Sequence, residues 1–409
     1  MADGKKKIPI PESLTSGSLQ PQYETLQVQQ KQGQLSIGIP KEVSMQENRT
    51  ALVPSAVGTL VGRGHRVIIE MGAGEKSSFS DHDYSEFGGE IAYSQEEVYK
   101  ADVILKVAPP TLPEIELMHP DQILITPLQL PVISDRYIKK LQAKRVIAIA
   151  MEYLKDKGDS FPIVRTMSEL AGLSAILTAS ELLSTTNGGT GLLLGGISGV
   201  PPARVVILGA GIVAEYATRT ALGLGAEVRI FDDNVSKLKR IQTLVGHQLY
   251  TSTLNTVYLQ RELKQANVAI GAIHSESGRT PIVVTEDMVQ QMKTGAVIVD
   301  VSIDQGGCFE TSVVTKHDRP TFVKHGVIHY CVPNIASKVS RTASIAVSNI
   351  ITPILLSAAS SGSIERLLFR DHGLRHGVYI YKGRLTNEYL ARRFNIKWTD
   401  LNLLLTASV

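Results

Sequence analysis

The sequence predicts an α/β fold in which two domains are each built on a mostly parallel, doubly wound sheet. Short β-branched apolar segments alternate with helical segments along most of the chain, a pattern typical of parallel sheets with helices on both faces. The chain has 409 residues, more than one hydrophobic core usually organises. A glycine-rich turn between a buried strand and a helix, at residues 203–214, marks the centre of one sheet. We expect residues 35–162 and 342–409 to form a discontinuous first domain and residues 163–341 to form the second.

The composition excludes several classes of protein. A formal net charge of +3, without a basic stripe carrying aromatic residues, argues against nucleic-acid binding. Cys308 and Cys331 are the only cysteines, which argues against a disulfide scaffold or a cysteine-ligated zinc site and favours a reducing compartment. Since no apolar run reaches the length that spans a bilayer, and residues 1–34 lack the apolar segment of a signal peptide, we expect a soluble cytoplasmic protein without a bound metal.

The first half of the chain reads as an arm followed by a parallel sheet. Residues 1–34 are polar and rich in Lys and Gln, which predicts a flexible N-terminal arm. A strand ended by Pro40 opens the first domain. Helices are predicted at 55–63 and 81–88 and around Glu96, and further strands at 67–70, 103–107, 123–126 and 146–150.

The second half begins with a long apolar helix. It is predicted to start at Met167-Ser168-Glu169 and to reach about residue 183, and because no charge lies between Glu169 and Glu181 we expect it to be buried between the domains. A glycine-rich loop at 187–202 leads into the central strand. The remaining predicted strands are 227–232, 268–272 and 296–301, and the remaining helices are 285–292, 342–357, which returns the chain to the first domain, and 387–394.

The turn after the central strand has the residues of a dinucleotide site. Gly209 permits the tight turn, Gly211 lets the backbone approach a pyrophosphate, and the small Ala214 lets the helix pack close to the strand. Asp232 ends the next strand, about 20 residues further on, where a carboxylate accepts hydrogen bonds from the hydroxyls of an adenosine ribose. The same carboxylate would repel a 2′-phosphate, so these residues predict a Rossmann-like domain that binds NAD rather than NADP.

Several motifs together resemble one family, the alanine dehydrogenases with the related NAD-binding subunit of proton-translocating transhydrogenase. The resemblance covers the chain from about residue 35 to the C-terminus and is closer to the alanine dehydrogenases at the last motif. The motifs that carry it, besides the glycine turn, are GIPKE at 38–42, ENR at 47–49, ILKV at 104–107, MSE at 167–169, GGISGV at 195–200 and VDVSIDQGGC at 299–308.

The resemblance implies a reaction and a set of site residues. It implies reversible oxidative deamination of L-alanine to pyruvate and ammonia, with NAD as cofactor and a homo-oligomer, hexamer or dimer, as the assembly. Arg49 would anchor the substrate carboxylate, Lys106 would polarise the oxo or imino group, and Asp304 would position water or ammonia. Asn334 would lie near substrate and nicotinamide, and further NAD contacts would come from Ser168, Lys237, Thr251 and Ile273.

Each of these charged residues has a simpler interpretation as well. Arg49 could form a surface salt bridge, and Asp304 could cap a helix or hold a turn. Lys106 interrupts a buried apolar strand, and because an unpaired buried ammonium is costly, it must face either a ligand or an acid.

The sequence departs from the family at three positions. Gln129 stands where the family has its general acid/base histidine, Ile335-Ala336 replaces a Met-Pro, and His274 replaces an apolar residue. Glutamine can orient a substrate but cannot accept a proton at neutral pH. One hypothesis is that Gln129 only binds the substrate and that Asp304, Lys106 or water carries out the proton transfer, with help from His274. The other is that the substrate is a different 2-amino or 2-oxo acid.

Two functions from other classes stay open. One is a transhydrogenase-like subunit that passes hydride to a partner's nucleotide, which Gln129 favours but Arg49, Lys106 and Asp304 oppose. The other is a sensor that binds NAD without turnover.

Overall fold

The computed structural model describes residues 33–44, 47–130, 133–275 and 278–406. The predicted N-terminal arm lies outside the described residues except for residues 33 and 34. Two sheets organise the rest of the chain, one of eight strands and one of seven. The predicted α/β fold with two sheets is therefore confirmed, and the first sheet takes strands from both ends of the chain.

The first sheet has the strand order β15-β14-β6-β5-β4-β1-β2-β3. Strands β1 to β6 pair in parallel, whereas β14 and β15 add an antiparallel edge. The order reverses between β1 and β4, and ligands of such sheets bind beyond the carboxyl ends at this switch point. The strands are β1 Ser36–Ile39, β2 Arg66–Glu70, β3 Glu90–Ala92, β4 Val103–Leu105, β5 Ile123–Thr126, β6 Ile147–Ala150, β14 Val378–Tyr381 and β15 Arg384–Leu385.

The second sheet has the order β12-β13-β11-β10-β7-β8-β9, and all its pairs are parallel except β12 with β13. Its switch point lies between β7 and β10, which places the glycine turn after β7 at the ligand-binding edge. The strands are β7 Arg204–Leu208, β8 Glu227–Phe231, β9 Tyr250–Ser252, β10 Val268–Gly271, β11 Val297–Asp300, β12 Thr321–Lys324 and β13 Val327–Tyr330.

Helices cover both sheets, and most of them are short. Two helices of 21 residues each, α6 and α11, are the long ones. The helices are α1 Pro54–Val61, α2 Asp81–Glu86, α3 Gln95–Val98, α4 Leu112–Glu116, α5 Asp135–Ala143, α6 Pro162–Leu182, α7 Ile212–Gly223, α8 Val235–Val245, α9 Thr256–Gln265, α10 Glu286–Gln290, α11 Ser340–Ser360, α12 Ile364–Arg370, α13 His372–His376, α14 Glu388–Phe394 and α15 Leu401–Thr406.

The predicted start and burial of α6 are wrong. The helix begins at Pro162, whose fixed φ suits a first helical turn, so Met167-Ser168-Glu169 lies inside it. Leu173 and Leu177 are 38% and 54% exposed, so the absence of charge did not mean burial on every face. The buried side of α6 packs against α7 through Gly172, where a Cβ would lie 2.4 Å from the Val213 carbonyl oxygen.

Helix α6 joins the two cores, and α11 packs against α6. Ile163 of α6 belongs to the core of the first sheet, whereas its residues from Ala171 to Ala179 pack into the core of the second. Val347, Ile351 and Leu355 of α11 belong to the first core. Because α6 runs from one core to the other, the domain limit at 162/163 stays a prediction, as does the limit at 341/342.

Helix α11, with the turn before it, corrects the expectation that no apolar run is long enough for a bilayer. Within residues 335–360 a window of 18 residues reaches a mean hydropathy of 1.6, so that this helix, the one such helix among the described residues, is long and apolar enough to cross a membrane by length and composition. Half of that window is buried inside the protein. The core helix of a soluble protein has the same composition, and α11 packs as one.

The sequence pattern missed several of the short strands and helices. The β12–β13 hairpin has strands of only four residues each, joined at His325 and Gly326, both at positive φ as a tight hairpin turn requires. Strands this short carry too little alternation to be recognised. The missed strands are β3, β9, β12, β13, β14 and β15, and the missed helices are α4, α5, α8, α9, α12, α13 and α15.

A buried charge cluster closes the switch point of the first sheet. Lys106 follows β4 directly and is 1% exposed; its Nζ lies 2.9 Å from Glu42 Oε2 and 3.0 Å from Glu114 Oε1. The other oxygen of Glu42 accepts the Val107 N–H at 2.7 Å. Burial alone would lower the pKa of Lys106, but the two carboxylates outweigh it and raise that pKa. The lysine therefore stays charged and ties β1, β4 and α4 together.

We predict that Lys106→Ala lowers the free energy of unfolding by about 3–5 kcal/mol, because it leaves two buried carboxylates without their cation. Burial raises the pKa of Glu42 and Lys106 acts against the rise, so without Lys106 the folded variant binds a proton at Glu42 more readily than the unfolded chain does. Its stability should consequently recover as the pH falls, and the deficit should be larger at pH 8 than at pH 5. Urea unfolding at both pH values measures this difference. An equal loss at both pH values would contradict the prediction. The control is Lys100→Ala, which removes an exposed lysine from the same part of the chain.

Candidate active site

A cavity of about 590 Å³ lies between the carboxyl edges of the two sheets. The first sheet lines it with residues that follow β1, β4, β5 and β6: Arg49, Val107, Pro127, Gln129, Met151 and Glu152. The second sheet lines it with residues that follow β7, β10 and β11, and α6 forms a third wall. Both switch points therefore open into one space, as expected for the binding site of a doubly wound fold.

Arg49 is held at the cavity by its near neighbour Glu47. The Nε and Nη2 atoms of Arg49 lie 2.7 and 2.6 Å from the two Glu47 carboxylate oxygens, a bidentate pair, and both residues are buried. The third guanidinium nitrogen, Nη1, contacts the Met167 sulfur at 3.1 Å. Burial alone would lower the pKa of Arg49, but Glu47 above all raises it. The guanidinium is therefore charged, fixed on one edge and directed toward the cavity on the other.

The same Glu47 reaches across to the second sheet. Its Oε2 accepts a hydrogen bond from Asn334 Nδ2 at 2.9 Å, and the Asn334 N–H donates to Asp304 Oδ1, also at 2.9 Å. Asn334 has a φ of 58°, a left-handed conformation that asparagine tolerates better than most residues. The chain Arg49, Glu47, Asn334, Asp304 thus connects the loop after β1 with the loops after β13 and β11.

Asp304 offers a carboxylate on the second-sheet side of the cavity. Its side chain is exposed to the cavity, while protein surrounds it on the remaining sides. This partial burial raises the pKa of Asp304, and the Asn334 N–H and the charge of Arg49 act against the rise. Both influences stabilise the negative charge of the Asp304 carboxylate and partly offset the effect of burial.

Gln129 occupies a strained turn that Glu152 supports. Gln129 has a φ of 47°, unfavourable for a residue with a long side chain. Glu152 Oε1 accepts the N–H of Leu128 at 2.7 Å and that of Gln129 at 3.2 Å. The other oxygen, Oε2, is buried without a hydrogen-bond partner among the described residues. Burial raises the pKa of Glu152, and only backbone N–H groups lower it.

The glycine turn after β7 leaves room for a phosphate group. Gly209 has a φ of 109°, and a Cβ there would lie 2.4 Å from the Ala272 carbonyl oxygen, so only glycine allows the two loops to approach. At Gly211 a Cβ would meet no atom within 4 Å, because the space in front of it is the cavity. The helix α7 begins at the next residue, Ile212, and its free backbone N–H groups form an anion site there.

Asp232 stands at the end of β8, beside that turn. Its Oδ2 accepts the Ala210 N–H at 2.7 Å and its Oδ1 accepts the Asn234 N–H at 2.8 Å. The carboxylate is thus oriented by the backbone and keeps acceptor capacity on both oxygens. The turn, the helix start and this acid together fit the pyrophosphate and ribose of a dinucleotide.

Most of the predicted site residues line the cavity. They are Arg49, Gln129, Ser168, Gly211, Lys237, Ile273, Asp304 and Asn334, and His274 lines it as well. Gly209, Ala214 and Asp232 belong to the turn and its surroundings, and Thr251 is exposed on β9 next to β8. Lys106 is the exception, since its ammonium faces two acids and does not line the cavity.

Sequence reasoning missed Glu47 and Glu152. Glu152 could have been found, because it stands two residues after the buried strand β6, at the carboxyl edge where ligands bind. The pairing of Glu47 with Asn334 joins residues 287 positions apart, and nothing in the sequence indicates it. Among the described residues no group of three or more His, Cys, Asp and Glu side chains is placed to hold a metal ion.

Comparison with known proteins identifies the family. The model for the alanine dehydrogenase/PNT N-terminal domain matches residues 38–171, and that for the alanine dehydrogenase/PNT C-terminal domain matches residues 175–388. A protein named alanine dehydrogenase 2, from Staphylococcus aureus strain USA300, is 40% identical over 368 residues, which are 90% of this chain and 98% of the relative.

Solved structures give the same result. A structure titled L-alanine dehydrogenase superimposes with a TM-score of 0.82 at 38% identity and covers 88% of this chain and 99% of its own. A transhydrogenase from Sinorhizobium meliloti has a TM-score of 0.74 at 22% identity, covering 86% of this chain and 99% of its own, and shows the shared fold alone. The chain belongs to the alanine dehydrogenase/PNT family.

Proposed function

We propose that the protein catalyses the reversible, NAD-dependent oxidative deamination of L-alanine to pyruvate and ammonia. One observation carries the proposal: a charged guanidinium, Arg49, and an open glycine turn, at Gly209 and Gly211, border the same cavity. A small carboxylate held by the first and a nicotinamide held by the second would meet inside a space of about 590 Å³. The relatives named alanine dehydrogenase support the substrate.

The substrate end is assigned to residues of both sheets. Arg49 binds the carboxylate through Nη1 and the free side of Nη2, because Glu47 already occupies the opposite edge. Asp304 positions the attacking water or ammonia, and Asn334 holds Asp304 in place through its N–H. Gln129 orients the amino or oxo group but does not exchange a proton with it. Lys106 keeps its proposed part only if its ammonium leaves Glu42 or Glu114 to reach the cavity.

The cofactor end is assigned to the second sheet. The N-terminus of α7 and the turn bind the pyrophosphate, and Asp232 binds the adenosine ribose. Ser168, Lys237, Ile273 and Thr251 complete the proposed NAD contacts. When bound, NAD accepts the hydride that leaves the substrate Cα. The chain's own residues contribute orientation and exclusion of water, and NAD is proposed over NADP because Asp232 would repel a 2′-phosphate.

A soluble, cytoplasmic homo-oligomer belongs to the same proposal. Leu193 and Ile197, in the glycine-rich loop after α6, are 68% and 66% exposed. Apolar side chains that another subunit covers would be exposed in this way when one chain is viewed alone.

A panel of L-amino acids, each supplied with NAD, tests the function and separates it from its rivals. We expect NADH formation, measured by absorbance, to be highest with L-alanine. Turnover of another amino acid only would assign a different substrate. Silence across the panel with retained NADH binding would favour the transhydrogenase-like subunit or the sensor.

The Gln129→His variant separates the two explanations of the missing histidine. If Gln129 only binds the substrate and another group acts as the base, the variant gains a second base, and alanine turnover rises or stays the same. If alanine turnover is absent in the variant as in the wild type, the missing base is not the obstacle and the substrate differs. Gln142→His, at an α5 glutamine that does not line the cavity, is the matched control.

Replacing the acid at the ribose end should change cofactor affinity. We predict that Asp232→Ser weakens NADH binding roughly 10- to 100-fold, the loss expected for hydrogen bonds to a charged group. NADPH binding should weaken less or improve, because the repulsion of its 2′-phosphate is removed. Fluorescence titration with each nucleotide measures both affinities. Equal losses for both nucleotides would show that Asp232 only supports the turn through Ala210 and Asn234.

A further inference from the structure

Two carboxyl groups line the cavity within the part of the chain that the structure describes, and they differ in their surroundings. Burial raises the pKa of Asp304, but Asp304 accepts the Asn334 N–H and lies near Arg49, and both of these act against the rise. Glu152 has no cation nearby; only backbone N–H groups contact it, and they reach just one of its oxygens. Burial raises the pKa of Glu152, which brings the carboxyl closer to the range where it can both accept and return a proton.

The position of Glu152 relative to Gln129 gives this carboxyl a role. Glu152 Oε1 holds the backbone of Gln129, the residue that stands where the related dehydrogenases have a histidine. Its Oε2 is buried and bonded to nothing among the described residues. An orphaned buried carboxylate oxygen costs free energy, and such a cost usually indicates a function.

We propose that Glu152 is the proton carrier of this enzyme: a rotation of its side chain turns the unpartnered oxygen to the cavity, where it exchanges a proton with the substrate nitrogen in place of the histidine that Gln129 replaces. The inference rests on the function proposed above. Lys106 is a poorer carrier because two carboxylates hold its ammonium. Asp304 is a poorer one because one of its oxygens already accepts the Asn334 N–H and the charged Arg49 lies near it, whereas Oε2 of Glu152 has no hydrogen-bond partner among the described residues.

The step balances in atoms and electrons. The Glu152 carboxylate takes one proton from the substrate ammonium, giving a carboxylic acid and a neutral amine. The Cα–H electron pair then leaves with its hydrogen as hydride and reduces NAD, so the substrate is oxidised by two electrons. Water adds to the iminium carbon and releases one proton to solvent. Glu152 returns its proton to the nitrogen, the C–N bond breaks, and ammonia departs with the remaining hydroxyl proton as ammonium.

Other titratable groups face this carboxyl from several elements. Tyr137 of α5 and Tyr379 of β14 lie close enough to Glu152 for its charge to raise their pKa values, as does the adjacent Tyr153. Because burial raises all three further, these phenols stay neutral. Across the cavity lie Arg49, Asp304, Lys237 and His274. His274 stands on the loop after β10, beside the glycine turn and away from Gln129 in the fold.

The variant Glu152→Gln keeps the acceptor for the Leu128 and Gln129 N–H groups and removes the proton carrier. We expect kcat for the substrate found active to fall by about 10²- to 10⁴-fold, with KM nearly unchanged. Adding Gln129→His to this variant should restore turnover, and the acid limb of its pH profile should move to about the pKa of histidine, near 6.5. A purely structural role for Glu152 would raise KM and allow no rescue. Glu90→Gln, at a surface salt bridge, is the matched control.

Infrared spectroscopy of the protein without cofactor tests the same carboxyl independently of turnover. The difference spectrum between the wild type and Glu152→Gln should contain a protonated-carboxyl band that titrates above the usual range of a glutamate, and the difference spectrum between the wild type and Glu90→Gln should not. If Glu152→Gln does not fold, Glu152→Asp should retain the band and lose turnover. Full activity of Glu152→Gln, or a spectrum without such a band, overturns the proposal. A wild type that is silent with every amino acid but shows the band contradicts the proposed reaction and leaves the carboxyl assignment standing.

Discussion

The shared carboxylate of Glu47 is the contact on which the cleft depends. It pairs with Arg49 on its own loop and with Asn334 on the opposite sheet, at distances between 2.6 and 2.9 Å. A buried arginine without a partner would be costly. Glu47 pairs with one edge of the Arg49 guanidinium, and this pairing leaves the other edge facing the cavity. The same contact fixes the distance between the substrate end and Asp304.

The topology explains why these groups meet. Each sheet reverses its strand order at one place, and the loops at the two reversals face each other. The long helix α6 passes from one core to the other, and α11 of the first core packs against it. Any motion that separates the sheets must break the Glu47–Asn334 contact and the hydrogen bond from the Asn48 N–H to the Ser337 hydroxyl. We infer that substrate and cofactor binding on opposite sides of this contact are coupled through it.

The sequence predicted the parts of this site that depend on local pattern. The glycine turn, Asp232 and the loop of Asp304 follow buried strands, and a strand followed by a special turn is recognisable from residue types alone. The direction of the Lys106 side chain was left open between a ligand and an acid, because only the packing of α4 decides that Glu114 lies within reach. The partners of Glu47 and Glu152 could not be predicted, since they depend on loops brought together by the whole fold. The exposed face of α6 shows the same limit, as an uncharged helix was taken for a buried one.

The direct test of the central claim is whether Arg49 binds the carboxylate of the substrate. Calorimetric titration with oxamate, an inert analogue of pyruvate, in the presence of NADH measures that contact without turnover. The account predicts that Arg49→Lys, which keeps the charge but loses the bidentate edge, weakens oxamate binding roughly 10- to 100-fold and leaves NADH affinity unchanged. Equal oxamate affinity in the variant and the wild type would contradict the account, because the substrate would then be held elsewhere.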